Sequence, residues 1–179
     1  MTSRRPGEGR YAQFEREQRW LLGSLPDGTA DERTIIDHYL TGTTLRLRMI
    51  ERPSGALFKL GQKIRLDESD PETVKITNVY LTANEFDRLS VLPSEILAKS
   101  RWTLDHEGVT YTVDEFKGRH AGLLMAEVEI GAPDERLACP RFAILEVTGR
   151  NEYAGGWLAG ASEEDLRRLL DGSYPIVGD

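Results

Sequence analysis

Cysteine is nearly missing from this chain: Cys139 is the single one in 179 residues. An internal disulfide framework and a multi-cysteine zinc site are thereby excluded. Histidine is almost as scarce, and His38, His106 and His120 lack the spacing of metal ligands. No run of about eighteen apolar residues occurs, so no spanning helix and no membrane partner are expected. The G-x-x-x-x-G-K-[ST] phosphate loop is absent. Basic charge is not in excess either. The 23 Lys+Arg face 30 Asp+Glu for a net charge of −7, which argues against a nucleic-acid partner. Net charge is silent about clustering, so a local basic site for an anion stays open. Met1–Arg10 is polar, rich in Gly, Pro and Arg, and has no apolar signal core. The expectation is a cytoplasmic protein with a flexible tail over residues 1–10 and one domain over residues 11–179.

What is present is alternation of period two, the mark of strands. It predicts eight: Phe14–Leu22, Thr44–Ile50, Leu57–Leu66, Val74–Leu81, Ile96–Leu104, Val109–Phe116, Leu123–Ile130 and Ile144–Thr148. Turn-like segments such as Glu51–Gly55, Asp67–Pro71, Asp105–Gly108 and Lys117–Gly122 separate them. Three capping boxes predict short helices, pairing Thr29 with Glu32, Thr82 with Glu85 and Ser162 with Asp165. Apolar residues at helical spacing follow the last two, as in helices that cover a sheet. Gly155-Gly156 reads as a pair of turn glycines. The fold class is α+β.

Residues of equal parity share one face of a strand. The first strand collects Glu15, Glu17 and Arg19 on such a face, and the seventh collects Glu127 and Glu129. Three others are basic, with Arg46 and Arg48, then Lys59, Lys63 and Arg65, then Lys99 and Arg101. Lys75 and Thr77 extend the polar set on the fourth predicted strand, and Thr110, Thr112 and Asp114 on the sixth. A solvated face of an antiparallel sheet would account for alternation alone. It does not account for the segregation of charge by strand. The other reading is a closed barrel with its charged face turned inward around a polyanion and its metals. Paired carboxylates offer hard oxygens to Mg²⁺ or Mn²⁺, and guanidinium and ammonium groups neutralise phosphate.

Glu15-Arg16-Glu17-Gln18-Arg19, leading into Trp20-Leu21-Leu22, resembles the E-x-E-x-K signature of the CYTH superfamily, the triphosphate tunnel metalloenzymes. The likeness continues through Tyr39-Leu40, Leu45-Arg46-Leu47-Arg48 and the Lys99/Arg101 strand. It is closest at Val113-Asp114-Glu115-Phe116-Lys117-Gly118 and Ala126-Glu127-Val128-Glu129, and ends with Glu146-Val147-Thr148-Gly149 and Tyr153. The resemblance implies an eight-stranded antiparallel β-barrel, the triphosphate tunnel, with a few covering helices. It implies hydrolysis of a small-molecule triphosphate, foremost inorganic tripolyphosphate, by a metal-dependent triphosphatase. An adenylyl cyclase making cyclic AMP, or a non-catalytic polyphosphate- or nucleotide-binding module, stays open beside it, as does a homodimer. Carried over residue by residue, Glu15, Glu17, Glu127, Glu129 and Asp114 become ligands of Mg²⁺ or Mn²⁺. Arg46, Arg48, Lys63, Lys99 and Arg101 become phosphate binders, with Lys59, Arg65 and Lys75 on the same inferred face. Arg19, in place of the signature's lysine, and Tyr39 become the catalytic pair. Arginine stays protonated, so Arg19 is expected to bind phosphate without accepting a proton.

Overall fold

Alternating sequences build nine strands among the described residues, 6–65 and 72–172, of a computed structural model. They are β1 (Gln13–Leu22), β2 (Ala30–Leu40), β3 (Leu45–Arg52), β4 (Gly55–Arg65) and β5 (Thr73–Leu81). β6 (Ser94–His106), β7 (Val109–Phe116), β8 (Leu124–Glu129) and β9 (Ala143–Glu146) complete the set. Their order is β5-β4-β3-β2-β6-β7-β8-β1-β9, and a further β5–β1 pairing closes the first eight into an antiparallel barrel. Strand β9 stays outside it. One edge of β1 is occupied by β8; the other is shared, Gln13–Arg16 pairing with β5 and Trp20–Leu22 with β9. The predicted turn Asp67–Pro71, Leu66 and residues 1–5 of the predicted tail lie outside the described residues. Gly7, within that predicted tail, is buried against Ile64.

The expected eight-stranded barrel is present, with one exchange of membership. The Thr29–Glu32 box predicts a helix, but the segment is strand β2, paired with β3 and β6. Thr34, Ile35 and Ile36 are β-branched residues that favour a pleated strand, and tertiary pairing overrides the capping signal. Asp31, at φ 55°, falls in a register shift between Ala30 and Arg33, a bulge at the start of β2. The predicted strand Ile144–Thr148 corresponds to β9, which is not a barrel stave.

Two apolar groups surround the barrel, and a third plugs one end of its interior. Helix α1 (Ala83–Ser90), capped by the predicted Thr82–Glu85 box, lays Phe86 on the outer faces of β2, β3 and β4 with Leu40 and Leu47. The segment before β9 covers Trp20, Val113, Ala126 and Tyr111 on the outer faces of β1, β7 and β8. Gln18, fully buried there, exchanges two hydrogen bonds with the backbone of Leu137. The third group closes one end. Helices α2 (Gly155–Gly160) and α3 (Glu163–Leu170) bring Leu158, Leu166 and Leu169 against Leu97, Phe116 and Met125. Gly155 and Gly156 thus open a helix instead of a turn. A methyl group at position 155 would sit 2.0 Å from the Tyr39 hydroxyl, so the glycine permits the close approach.

Candidate functional site

Register decides which side chains share the barrel interior. Glu17 stands opposite Glu129 and Arg19 opposite Glu127 between β1 and β8. Arg101 faces Asp114, Asp37 faces Arg48, and Arg48 faces Lys59. Because opposed residues of adjacent strands point the same way, all of these lie on one inner surface.

The charges there join into a continuous chain. Lys63 bridges Glu15 and Glu17; Glu17 meets Arg19; Arg19 Nε lies 3.1 Å from Glu127. Glu127 accepts from Arg101 at 3.2 Å, and Arg101 grips Asp114 with two bonds of 2.6 Å. Lys99 closes the chain on Asp114, and both are buried. A second group forms beside it. Asp37, fully buried, receives a two-bond fork from Arg48 at 2.6 and 2.7 Å, with Arg46 Nε at 3.5 Å.

This crowding sets the ionisation of each group. Burial opposes the charge of Glu127, yet Arg19, Lys99 and Arg101 outweigh it and hold the carboxyl well below its usual range. Burial likewise opposes ionised Asp37, and Arg48 and Arg46 outweigh it, drawing the pKa down to about 2. Arg19 and Arg101 lose water on burial, but their carboxylate neighbours more than compensate and raise both. Lys99 is lowered, first by burial and then by Arg101. Lys59, which has no carboxylate partner among the described residues, is lowered by burial and by Arg48 and Arg46, and sits 5.2 Å over the Tyr80 ring.

No family model matches the chain. The curated inorganic triphosphatase of Acetivibrio thermocellus is 40% identical over 60 residues, 32% of this chain and 37% of that protein. The match thus spans little more than a third of the relative's length. A solved structure described as the inorganic triphosphatase NE1496 superposes with a TM-score of 0.57 at 22% identity, covering 81% of this chain and 93% of that one. Another, of the hypothetical protein NE1496, gives 0.58 at 22% identity and covers 81% and 97%. The chain has the triphosphate tunnel fold. The fold that the resemblance implies, drawn from the E-x-E pattern and the strands after it, is borne out.

The tunnel collects most of the residues singled out from the sequence, though not all. Glu15, Glu17, Arg19, Arg46, Arg48, Lys59, Lys63, Lys99, Arg101, Asp114 and Glu127 lie on its inner surface. Glu129 and Arg65 reach exposed ends of their strands on that surface. Lys75 does not belong. It stands opposite Phe14 and Ile64 on the outer face, its ammonium 5.0 Å over the Phe14 ring. Pairing with β4 sets Val74, Ile76, Asn78 and Tyr80 opposite Arg65, Lys63, Gly61 and Lys59, so these residues face inward and the odd-numbered Lys75 and Thr77 do not. Tyr39 is inside, but its neighbours are Arg46 and Gly155, whereas Arg19 is held by Glu17 and Glu127. Burial raises the Tyr39 pKa above its usual value, which disfavours proton acceptance. Asp37 and Arg33 were missed because β2 was read as a helix. Ile35, Asp37 and Tyr39 at period two were the signal that could have found them.

Among the described residues, no three carboxylate, imidazole or thiolate groups are drawn together as a metal cage. The donor set nevertheless fits a hard divalent ion. Glu17 and Glu129 oppose each other, an arrangement that like charges resist without a cation between them. Glu15 Oε2 is buried and accepts no well-aligned hydrogen bond, although the Lys63 ammonium lies close by. Glu15, Glu17 and Glu129, with Glu127 behind them, are the residues that would hold Mg²⁺ or Mn²⁺. Asp114, saturated by Lys99 and Arg101, reads as their counter-charge instead of a ligand.

Proposed function

We propose that this chain hydrolyses a linear triphosphate, inorganic tripolyphosphate, inside the tunnel. The observation that carries the reading is the row of buried cations on the inner surface, one of which, Arg46, keeps a buried Nε without a hydrogen-bond partner. Such donors suit phosphate oxygens, which accept several bonds each and carry the charge that burial would otherwise make costly. The Acetivibrio relative, an inorganic triphosphatase, supports the same substrate. The packing of Leu158 and Leu166 against Leu97, Phe116 and Met125 covers one end of the barrel, which favours a short, linear one.

In this reading Arg46, Arg48, Lys99 and Arg101 hold the phosphate chain, and Lys59 and Arg65 attract it. Already fixed by Asp37 and Asp114, these donors need little rearrangement as charge builds on the transferring phosphoryl group. Water oxygen forms the new bond to a terminal phosphorus, the bridging P–O bond breaks, and pyrophosphate leaves with orthophosphate as the second product. Mg²⁺ or Mn²⁺ on the glutamates would supply charge neutralisation and orientation of the reacting oxygens. Arg19 cannot accept the water's proton and Tyr39 resists doing so, so in this reading the proton passes to solvent. Phosphate release would be measured across tripolyphosphate, thiamine triphosphate, ATP and GTP with either metal. Metal-dependent release from tripolyphosphate is expected; cyclic AMP from ATP, or tight binding without release, overturns the reading.

A further inference from the structure

We propose that Asp37 is a positioning residue that sets the two-arginine fork of the tunnel, and thereby its selectivity for a multiply charged phosphate chain. The inference rests on the triphosphate reading above and names the residue on which recognition depends. Arg46 and Arg48 alternate on one strand, so both guanidinium groups project to the same side, next to Lys59 and Lys99. Left alone, four cations this close would spread apart. Asp37 stands directly opposite Arg48, is fully buried, and takes two of its N–H bonds while lying 3.5 Å from Arg46. The fork engages Nε and one Nη hydrogen, leaving the remaining Nη hydrogens of Arg48 to aim at a ligand. Arg46 stands between Tyr39 on β2 and Gly61 on β4, where a side chain would meet both Asn78 and the Arg46 guanidinium.

The expected sign is opposite to that of simple electrostatics. Deleting a negative charge from an anion site should tighten binding if Asp37 were only a counter-charge. If it orients the fork, binding should weaken. Tripolyphosphate and pyrophosphate binding would be followed by titration calorimetry at low salt with Mg²⁺, for the wild type, Asp37→Asn, Arg48→Lys and the double variant. Asp37→Asn is expected to weaken tripolyphosphate binding at least about tenfold, with a smaller loss for pyrophosphate. The double variant should lose no more than the weaker single one, because both act through one fork. Should Asp37→Asn not fold, Arg48→Lys carries the test, since a lysine cannot make the fork and must show the same loss of selectivity. Equal or tighter binding by Asp37→Asn, or strictly additive losses, overturns the proposal. Wild-type binding without phosphate release overturns the hydrolytic reading alone, and no wild-type binding overturns both.

Discussion

Glu127 and Glu129 stand two residues apart on β8 and face the same interior, yet their surroundings differ. Glu127 lies between Arg19 and Arg101, whereas Glu129 is exposed and faces Glu17. Neutralising each should therefore act differently. Glu129→Gln should leave the melting temperature nearly unchanged while metal-dependent phosphate release collapses. Glu127→Gln removes one of the two carboxylate partners of Arg19 and of Arg101 and should cost about 2 kcal/mol of stability as well, measured by urea unfolding. Equal stabilities of the two variants would show the ion-pair chain to be inert. Acid should expose the same chain. Asp37 and Glu127 ionise below their unfolded values, so the unfolded state binds more protons in acid. The contribution of Asp37 is complete above its unfolded pKa, about 4, and is lost as pH falls through about 2, and that of Glu127 is lost in still stronger acid. For Asp37 alone it amounts to about 2 kcal/mol, and a flat unfolding free energy over that interval would contradict it.

At the scale of elements, the start of α2 makes one unusually close approach to the barrel. Gly155→Ala drives a methyl into the Tyr39 hydroxyl and should cost about 1–3 kcal/mol by overpacking. Tyr39→Phe in that background removes the oxygen and should return part of it, with both values read from thermal melts. Arg119 and His120 hold the far end of the same helix, through the carbonyls of Ala159, Ala161 and Leu158. Contacts of this kind cannot be read from a sequence, because they join residues some forty positions apart. The staves were legible where alternation was clean, as in β1, β7 and β8. β2 was not legible, since Thr29 and Glu32 imitate a capping box and only pairing with β3 and β6 decides the matter. The E-x-E pairs and the basic strands announced a charged interior. Asp37, which organises part of it, was hidden in the misread strand, and Lys75 was misassigned because odd positions of β4 share the inner face with even positions of β5, which only their pairing reveals.

For the molecule as a whole, an anion that fills the tunnel should act as a stabiliser. A ligand bound only by the folded state at a hundred times its Kd adds about 2.7 kcal/mol, a rise of roughly 5–10 °C for a chain of this size. Tripolyphosphate with Mg²⁺ at low salt should give that rise and lose much of it at high salt. A melting temperature indifferent to the ligand would return the inner surface to an ordinary solvated face. Closure of the ring adds a last consequence. The seam between β1 and β5 is only four residue pairs long, and β1 then turns its edge to β9. A hoop fastened over so short an overlap should unlatch there first, and amide hydrogens of Gln13–Arg16 should exchange faster than those between β2 and β6. Because β1 carries Glu15, Glu17 and Arg19 together, each unlatching would swing one whole bank of charge away from the other, and a polyphosphate gripping both banks would be the clasp.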